Sequence, residues 1–283
     1  GRSMLGDIEL GQEAMARLLR RKSQVLIAYG ACALSGGIPG LANLFSREQL
    51  LDFNYQHAPT VVNESGTRPM PTSALCPLPS AIDTSSRTPT EPVQSPDAPG
   101  PEDQPLRLPT LHQLVRSLDQ VVEVDLYVPG CPPTPNLTKA ALNAVLSGQL
   151  PPKGSVLAPD IALCDECPRK KTKPANLSFT EFKRPHQVLA DPELCFLAQG
   201  LVCLGPATRS GCGALCPLGN MPCTGCFGPT SRVRDQGLKA ISSLAASLVP
   251  NDEAGISKAW EGIPDPVGTF YRYGLAKSLL QRK

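Results

Sequence analysis

The sequence predicts an α/β fold in which an open parallel sheet precedes a loop-rich, cysteine-dense region with C-terminal helices. Two short apolar runs, at residues 24–29 and 121–128, are typical of strands buried on both faces of a parallel sheet. Helical patterns lie between and after these runs, as an α/β arrangement requires. In addition, 31 prolines and 24 glycines among 283 residues predict long stretches of irregular backbone.

Charge and hydropathy argue against two classes of partner. Lysine and arginine number 27 and aspartate and glutamate number 25, so the formal net charge is +2. Because nucleic-acid-binding proteins usually carry a basic surplus, we expect no nucleic-acid partner. The apolar runs are shorter than the ~18 residues that a membrane-spanning helix needs, so we expect no membrane span.

The first half of the chain predicts strands and helices in a clear order. An amphipathic helix with a basic last turn is expected over residues 8–22. The strand at 24–29 follows it, and a glycine-rich loop then leads into a second helix. A third helix, expected at 111–118, precedes the strand at 121–128.

The remaining elements follow the second strand. Thr134 and Pro135 suit the N-cap and the first position of a helix. Residues 160–230 are spaced by glycine, proline and cysteine and predict loops. A helix is expected over 233–249, with Leu238, Ile241, Leu244 and Leu248 on its apolar face. An aromatic tail that packs back on the body completes the chain.

Residues 64–109 differ in kind from the sequence around them. They hold eleven prolines among small and charged residues and predict an insertion that cannot bury enough apolar surface to fold by itself. Cys76 lies in this insertion and is not expected to bind a metal. We therefore expect two domains, an α/β domain at 1–158 that carries the insertion and a cysteine-rich domain at 159–283.

One cysteine follows each of the two predicted strands. Cys32 and Cys131 both lie beside a glycine at the end of a strand. Sites in open α/β sheets form at the carboxyl ends of the strands, so both thiols are expected at one sheet edge. Glycine lets the backbone approach a metal–sulfur group and donate N–H groups to it. The alternative is a pair of buried structural cysteines.

Eight of the eleven cysteines lie between residues 164 and 226. Two C-x-x-C pairs enclose four single cysteines, and the eight are Cys164, Cys167, Cys195, Cys203, Cys212, Cys216, Cys223 and Cys226. One C-x-x-C turn can present two thiolates to one metal centre, so eight cysteines suffice for two four-cysteine sites. The odd total disfavours a closed disulfide framework. Spacing favours iron–sulfur clusters, and the alternative is a zinc-stabilised, non-catalytic interaction module.

Five segments of the chain together resemble the small subunit of [NiFe] hydrogenases, in particular the cytosolic, F420-non-reducing or methyl-viologen-reducing type. They are AYGACALSGGIPGLAN, DLYVPGCPPTP, ALCDECPRKK, CLGPATRSGCGALCPLGNMPCTGCFGP and DPVGTFYRYGL. The resemblance implies a flavodoxin-like first domain and an iron–sulfur second domain. It also implies an oxidoreductase subunit that relays electrons, while the Ni–Fe active site lies on a separate large subunit.

The same resemblance implies three groups of [4Fe–4S] ligands. Cys32 and Cys131, the proximal pair, would supply half of the ligands of one cluster. Two further groups would be complete: the distal set, Cys164, Cys167, Cys195 and Cys203, and the medial set, Cys212, Cys216, Cys223 and Cys226.

One feature of the family is missing from this sequence. The family's other two proximal ligands lie in an N-terminal C-x-x-C, and no cysteine precedes Cys32. We therefore expect an N-terminally truncated chain whose flavodoxin-like sheet lacks its first strand. The partners implied are the large subunit with the Ni–Fe centre and a further redox subunit or heterodisulfide-reductase-like complex. The implied location is the cytoplasm.

Overall fold

The computed structural model describes residues 2–5, 8–68, 111–249 and 252–280. The chain divides into two compact units, one formed by residues 1–12 and 47–112 and the other by residues 13–46 and 113–283. Most of the predicted insertion, including Cys76, lies outside the described residues. The domain boundary after residue 158 stays a prediction.

The first part of the chain alternates strands and short helices. In order it forms β1 (Arg2–Leu5), β2 (Ile8–Gly11), α1 (Gln12–Lys22), β3 (Ile27–Tyr29), α2 (Gly30–Ser35), a 3₁₀ segment (Ile38–Leu44), α3 (Arg47–Asp52) and a π-helical turn (Phe53–His57). β1 and β2 pair antiparallel. The predicted helix at 8–22 is therefore wrong in its first turn. That turn pairs as a strand instead, and Gly11 is a poor helix former, so α1 begins at Gln12.

The second part contains few long elements. In order it forms a 3₁₀ turn (Leu118–Gln120), β4 (Leu126–Val128), α4 (Pro135–Leu146), β5 (Ser155–Val156), 3₁₀ turns (Leu163–Asp165, Pro168–Thr172, Leu197–Gln199 and Gly205–Ala207), α5 (Leu215–Leu218), α6 (Gln236–Ala245), α7 (Glu253–Trp260), α8 (Pro266–Phe270) and a last 3₁₀ turn (Leu275–Lys277). Between β5 and α6 the described chain holds 3₁₀ turns and the single-turn α5, as the loop-rich pattern predicts.

The three-stranded sheet is parallel and has the order β3–β4–β5. Tyr29 at the end of β3 is in register with Val128 at the end of β4, so both strands end at the same edge. Ala28, Leu126 and Val128 are almost completely buried, as expected for strands covered on both faces. The predicted α/β class is confirmed, while the flavodoxin-like topology and the missing first strand stay predictions.

The predicted helix at 111–118 is wrong. The side-chain amide of Asn43 donates to the carbonyl of Val115 (2.9 Å) and accepts from the Val115 N–H (2.7 Å), which holds that residue in a loop. Ser117 then forms a reciprocal capping box with Gln120 and starts a 3₁₀ turn. Because both backbone groups of Val115 are bonded to a distant side chain, they cannot take part in the hydrogen-bond ladder of a helix.

The predicted start of α4 is confirmed. Thr134 is its N-cap and Pro135 its first residue, and the Thr134 hydroxyl accepts a hydrogen bond from the Leu137 N–H at 3.4 Å. This start places α4 directly after the loop that carries Cys131, so the helix begins at the sheet edge.

An aromatic core joins the C-terminal helices to the loop region. The ring centroids of Phe182 and Trp260 lie 5.0 Å apart, and those of Trp260 and Phe270 lie 6.1 Å apart in an edge-to-face arrangement. Phe270 and Tyr271 are buried, so the predicted packing of the tail is confirmed. α6 is shorter than the predicted 233–249.

The face that α6 buries differs from a simple apolar stripe. Leu244 is buried, but Leu238 is 52% exposed. Gly237 instead faces the Tyr271 ring, where an added Cβ would lie 2.5 Å from the ring carbon Cζ. The close approach of the ring to the helix backbone requires glycine at this position.

Asp235 fastens α6 to the tail. Its buried carboxylate caps the helix by accepting from the Leu238 N–H (2.8 Å), and it also accepts from the Leu279 N–H (2.9 Å). The Tyr271 hydroxyl donates to the same carboxylate. Burial, aided by the charge of Asp235, raises the pKa of Tyr271 to about 12.

We expect Asp235→Ala to lower the free energy of unfolding by about 2–3 kcal/mol, because it removes a helix cap and leaves buried donors without an acceptor. Asp252→Ala is the matched control, since Asp252 caps α7 with one exposed hydrogen bond to the Gly255 N–H. That change should cost about 1 kcal/mol. Denaturant unfolding followed by circular dichroism measures both, and equal losses would contradict the proposed role of Asp235.

Candidate metal centre

The proximal pair lies at the carboxyl edge of the sheet. Gly30 and Gly130 follow β3 and β4 with positive φ angles of 85° and 129°, and the Ala31 N–H donates to the Gly130 carbonyl at 2.7 Å. These contacts hold the first turn of α2, which carries Cys32, beside the loop that carries Cys131. Both cysteines are exposed, so the alternative of two buried structural cysteines is wrong. Their metal-binding role stays a prediction.

The turn after Cys32 wraps closely around its side chain. A Cβ added at Gly37, whose φ is 57°, would lie 2.6 Å from the Cys32 sulfur and 2.9 Å from the Cys32 Cα. Because any side chain here would collide with that sulfur, the position requires glycine. The backbone of this turn can therefore approach whatever the Cys32 sulfur binds.

The distal set comes together in the loop region. Burial raises the pKa of Cys164 to about 11, and the nearby Cys195 and Cys167 add to this rise. Burial likewise raises the pKa of Cys203, with smaller contributions from Cys164 and Cys195. The four thiols are thus close enough to disfavour one another's ionisation, and a positive metal would reverse that effect.

Backbone groups line the sulfurs of the distal set. A Cβ added at Gly205 would lie 3.3 Å from the Cys164 sulfur and 3.6 Å from the Cys203 sulfur. The N–H groups of Gly205 and Cys223 donate to the Cys203 sulfur, the latter at 3.4 Å. Such N–H donors lower the pKa of Cys203 and so oppose the effect of its burial.

The medial set is also brought together. Burial is the main cause that raises the pKa of Cys212, of Cys223 and of Cys226, the last to about 11. Cys216 lies beside both Cys212 and Cys226. The N–H groups of Ala214 and Leu215, at the start of α5, donate to the Cys212 sulfur.

Hydrogen bonds link the three groups in a row. The Cys131 N–H, in the proximal pair, donates to the Cys226 sulfur of the medial set. The Cys223 N–H, in the medial set, donates to the Cys203 sulfur of the distal set. The buried residues Leu163 and Ala214 pack against cysteines of both the medial and the distal set.

The donor chemistry of the ten cysteines fits a metal–sulfur group. All ten are free thiols in the described structure. Among the described residues, no three His, Cys, Asp or Glu side chains are arranged to hold one metal ion. The fit therefore rests on buried thiols, on N–H groups aimed at sulfur and on glycine backbone in contact with sulfur.

Sequence reasoning did not identify Glu166, which joins the two four-cysteine sets. It lies between the cysteines of the first C-x-x-C. Its carboxylate accepts from the Gly211 N–H (2.7 Å) and the Gly213 N–H (2.8 Å), the neighbours of Cys212. The sequence carried two signals for this contact: an acidic residue inside a C-x-x-C, and a Gly-Cys-Gly at residues 211–213 whose N–H groups a carboxylate could bind.

Two buried arginines, which the sequence analysis also did not identify, stabilise the loops by donating hydrogen bonds to backbone carbonyl groups. Arg169 is 4% exposed and Arg209 is 5% exposed. Arg209 donates to carbonyls of residues 158, 159 and 229 and forms an ion pair with Asp160 at 2.7 Å. Nothing in their spacing distinguishes them from the surface arginines of the chain.

An open cleft of about 650 Å³ adjoins the distal set. Cys203, Lys173 and Lys239 are among the residues that line it. Lys173 lies close enough to Cys164 to lower the pKa of that thiol. The distal set therefore has a solvent-facing side with positive charge.

Comparisons with known proteins identify relatives over most of the chain. Residues 7–145 match the family described as "NADH ubiquinone oxidoreductase, 20 Kd subunit". The iron-sulfur subunit of the F420-non-reducing hydrogenase of Archaeoglobus profundus is 36% identical over 273 residues, which cover 96% of this chain and 76% of the relative. The corresponding subunit of the F420-non-reducing hydrogenase of Methanothermobacter thermautotrophicus is 35% identical over 271 residues, covering 95% and 75%.

A solved structure of an NAD⁺-reducing [NiFe]-hydrogenase matches at 28% identity and a TM-score of 0.32. The match covers 49% of this chain and 58% of that chain. Separately, none of the described helices combines the length and the apolar character that crossing a membrane demands.

We expect Glu166→Gln to speed metal release from the loaded protein to a chelator by about tenfold, because the amide cannot replace both charge-assisted hydrogen bonds. Asp165→Asn is the matched control. Asp165 is the adjacent residue and pairs with the exposed Lys170. Release followed by absorbance should be unchanged in this control, and equal rates in both variants would argue against the role of Glu166.

Proposed function

This chain belongs to the family of the F420-non-reducing hydrogenase iron–sulfur subunits, and we propose that it relays electrons between a Ni–Fe centre and a redox partner. It is a hydrogenase small subunit and hence part of an oxidoreductase complex. The observation that carries the proposal is the row of three cysteine groups joined by N–H···S hydrogen bonds. A row of redox sites is what an electron relay needs.

The distal and medial sets would each hold one [4Fe–4S] cluster. Such a cluster, when bound, supplies a site that accepts and returns single electrons. The protein would supply four thiolates to each cluster and N–H groups that stabilise negative charge on sulfur. The buried residues Leu163 and Ala214 pack against cysteines of both sets. Burial raises the pKa of these thiols, so metal binding would be coupled to the release of their protons.

The two ends of the row suit different partners. Cys32 and Cys131 are exposed at the sheet edge, where a large subunit that carries the Ni–Fe active site would dock. They would provide two ligands of a proximal [4Fe–4S] cluster. At the other end, Lys173 and Lys239 line the cleft beside the distal set, where a further redox subunit or heterodisulfide-reductase-like complex would receive electrons.

A cytoplasmic location accords with the state of the cysteines. Ten free thiols, several of them close together, would be prone to oxidise in a compartment that promotes disulfides. A reducing compartment keeps them available for metal. We therefore place the complex in the cytoplasm.

The content of iron distinguishes this function from a zinc-stabilised interaction module. We expect the anaerobically purified chain to be brown and to hold about eight iron atoms and as much acid-labile sulfide, for two four-iron clusters. Occupancy of the proximal pair would add about four more. Elemental analysis with electron paramagnetic resonance measures this, and a colourless protein with zinc and no sulfide would refute the proposal.

Replacing one distal ligand tests the direction of the relay. We expect Cys167→Ser to lower the rate of dye reduction by the complex with H₂ by at least about tenfold, because serine is a poor iron ligand and the exit site is lost. Hydrogen–deuterium exchange at the Ni–Fe centre should stay near the wild-type rate.

Cys76→Ser is the control for that experiment, because Cys76 is the cysteine outside the three groups. It should leave both rates unchanged. Undiminished dye reduction in Cys167→Ser would count against the assignment of the distal set as the exit.

A further inference from the structure

Arg169 is a buried cation that binds segments of both four-cysteine sets. It lies two residues after Cys167. Its guanidinium donates to the Asp191 carbonyl (2.8 Å) and the Leu194 carbonyl (3.0 Å), the latter directly before Cys195. The carbon Cζ of the guanidinium also lies 4.0 Å from the centroid of the Phe196 ring.

The other terminal nitrogen of the guanidinium reaches toward the medial set. It donates to the carbonyl of Pro217, which follows Cys216, at 3.3 Å and to Oδ1 of Asn220 at 2.7 Å. All these acceptors are neutral. The guanidinium therefore occupies the space between chain segments that carry ligands of both sets.

No described carboxylate balances this charge. Within the part of the chain that the structure describes, Arg169 forms no ion pair, and its Nε–H has no hydrogen-bond partner. Arg209 provides the contrast, since it is equally buried but pairs with Asp160. The carbonyl and amide oxygens and the Phe196 ring solvate the guanidinium without neutralising its charge, so an anion bound nearby would be favoured.

We infer that Arg169 is the counter-charge of the distal set and holds the reduction potential of its cluster above the value that the four thiolates alone would give. This inference rests on the proposed function. A [4Fe–4S] cluster with four thiolates is doubly negative and becomes triply negative on accepting one electron. A fixed cation nearby stabilises the second state more than the first.

The other charges near the distal set do not replace Arg169. Lys170 is exposed and paired with Asp165, so the two charges largely cancel in water. Lys173 lowers the pKa of the Cys164 thiol, but it is exposed at the cleft, where solvent screens its charge. The buried guanidinium of Arg169 acts through a medium of low polarity, where the same charge has a larger effect.

The test is a redox titration of the purified hydrogenase complex, followed by electron paramagnetic resonance of the reduced clusters. Arg169→Gln should lower the midpoint potential of the distal cluster by at least about 59 mV, which is a tenfold change in a one-electron equilibrium constant. Arg169→Lys keeps the charge and should stay close to the wild-type potential. Arg209→Gln, the matched control, should also leave the potential unchanged.

Each result of the titration decides the inference. A normal potential in iron-loaded Arg169→Gln, or an equal shift in Arg209→Gln, would overturn it. Iron lost from Arg169→Gln but kept by Arg169→Lys supports it, because the charge is then what the cluster requires. Iron lost from both variants would overturn it, because cluster retention would then depend on the hydrogen bonds of the Arg169 guanidinium and not on its charge. A wild-type complex without iron would instead refute the proposed function.

Discussion

The burial of sulfur among loops is the constraint on which this structure depends. Burial raises the pKa of Cys164 and of Cys226 to about 11, so these groups resist ionisation by themselves. Backbone N–H groups directed at sulfur, as at Cys203 and Cys212, oppose this effect. The loop region has little regular structure of its own. Many of its backbone groups instead form hydrogen bonds to cysteine sulfurs or to the side chains of Glu166, Arg169 and Arg209.

The parallel sheet solves a different problem, that of bringing distant cysteines together. Because β3 and β4 end in register at Tyr29 and Val128, the segments after them must share an edge. Gly30, the first residue of α2, and Gly130 adopt positive φ there and let the start of α2 and the loop after β4 lie in direct contact. Strand register thus sets the positions of Cys32 and Cys131. Both thiols are exposed because they lie beyond the ends of the covered strands.

Sequence patterns predicted the features that depend on residues close together in the sequence. Apolar runs predicted the strands, and the two C-x-x-C pairs with four single cysteines between them predicted two four-cysteine sites. Which cysteines form each group came from the resemblance to the hydrogenase small subunit and stays a prediction. The helix expected at 111–118 failed because the amide of Asn43, far away in sequence, takes both backbone groups of Val115. Glu166 and Arg169 were not predicted for the same reason, since their partners lie 22 to 51 residues away and one sequence does not reveal such contacts.

The order of the three cysteine groups has a consequence for assembly. The N–H of Cys131 serves a sulfur of the medial set, and the N–H of Cys223 serves a sulfur of the distal set. Glu166 and Arg169 cross between the same segments. Each group therefore depends on backbone that its neighbour positions, and local unfolding at one should weaken the next. Without a cluster the buried thiols stay protonated and the buried charge of Arg169 has no anion beside it, which makes partly filled states costly and favours cooperative filling of the sites.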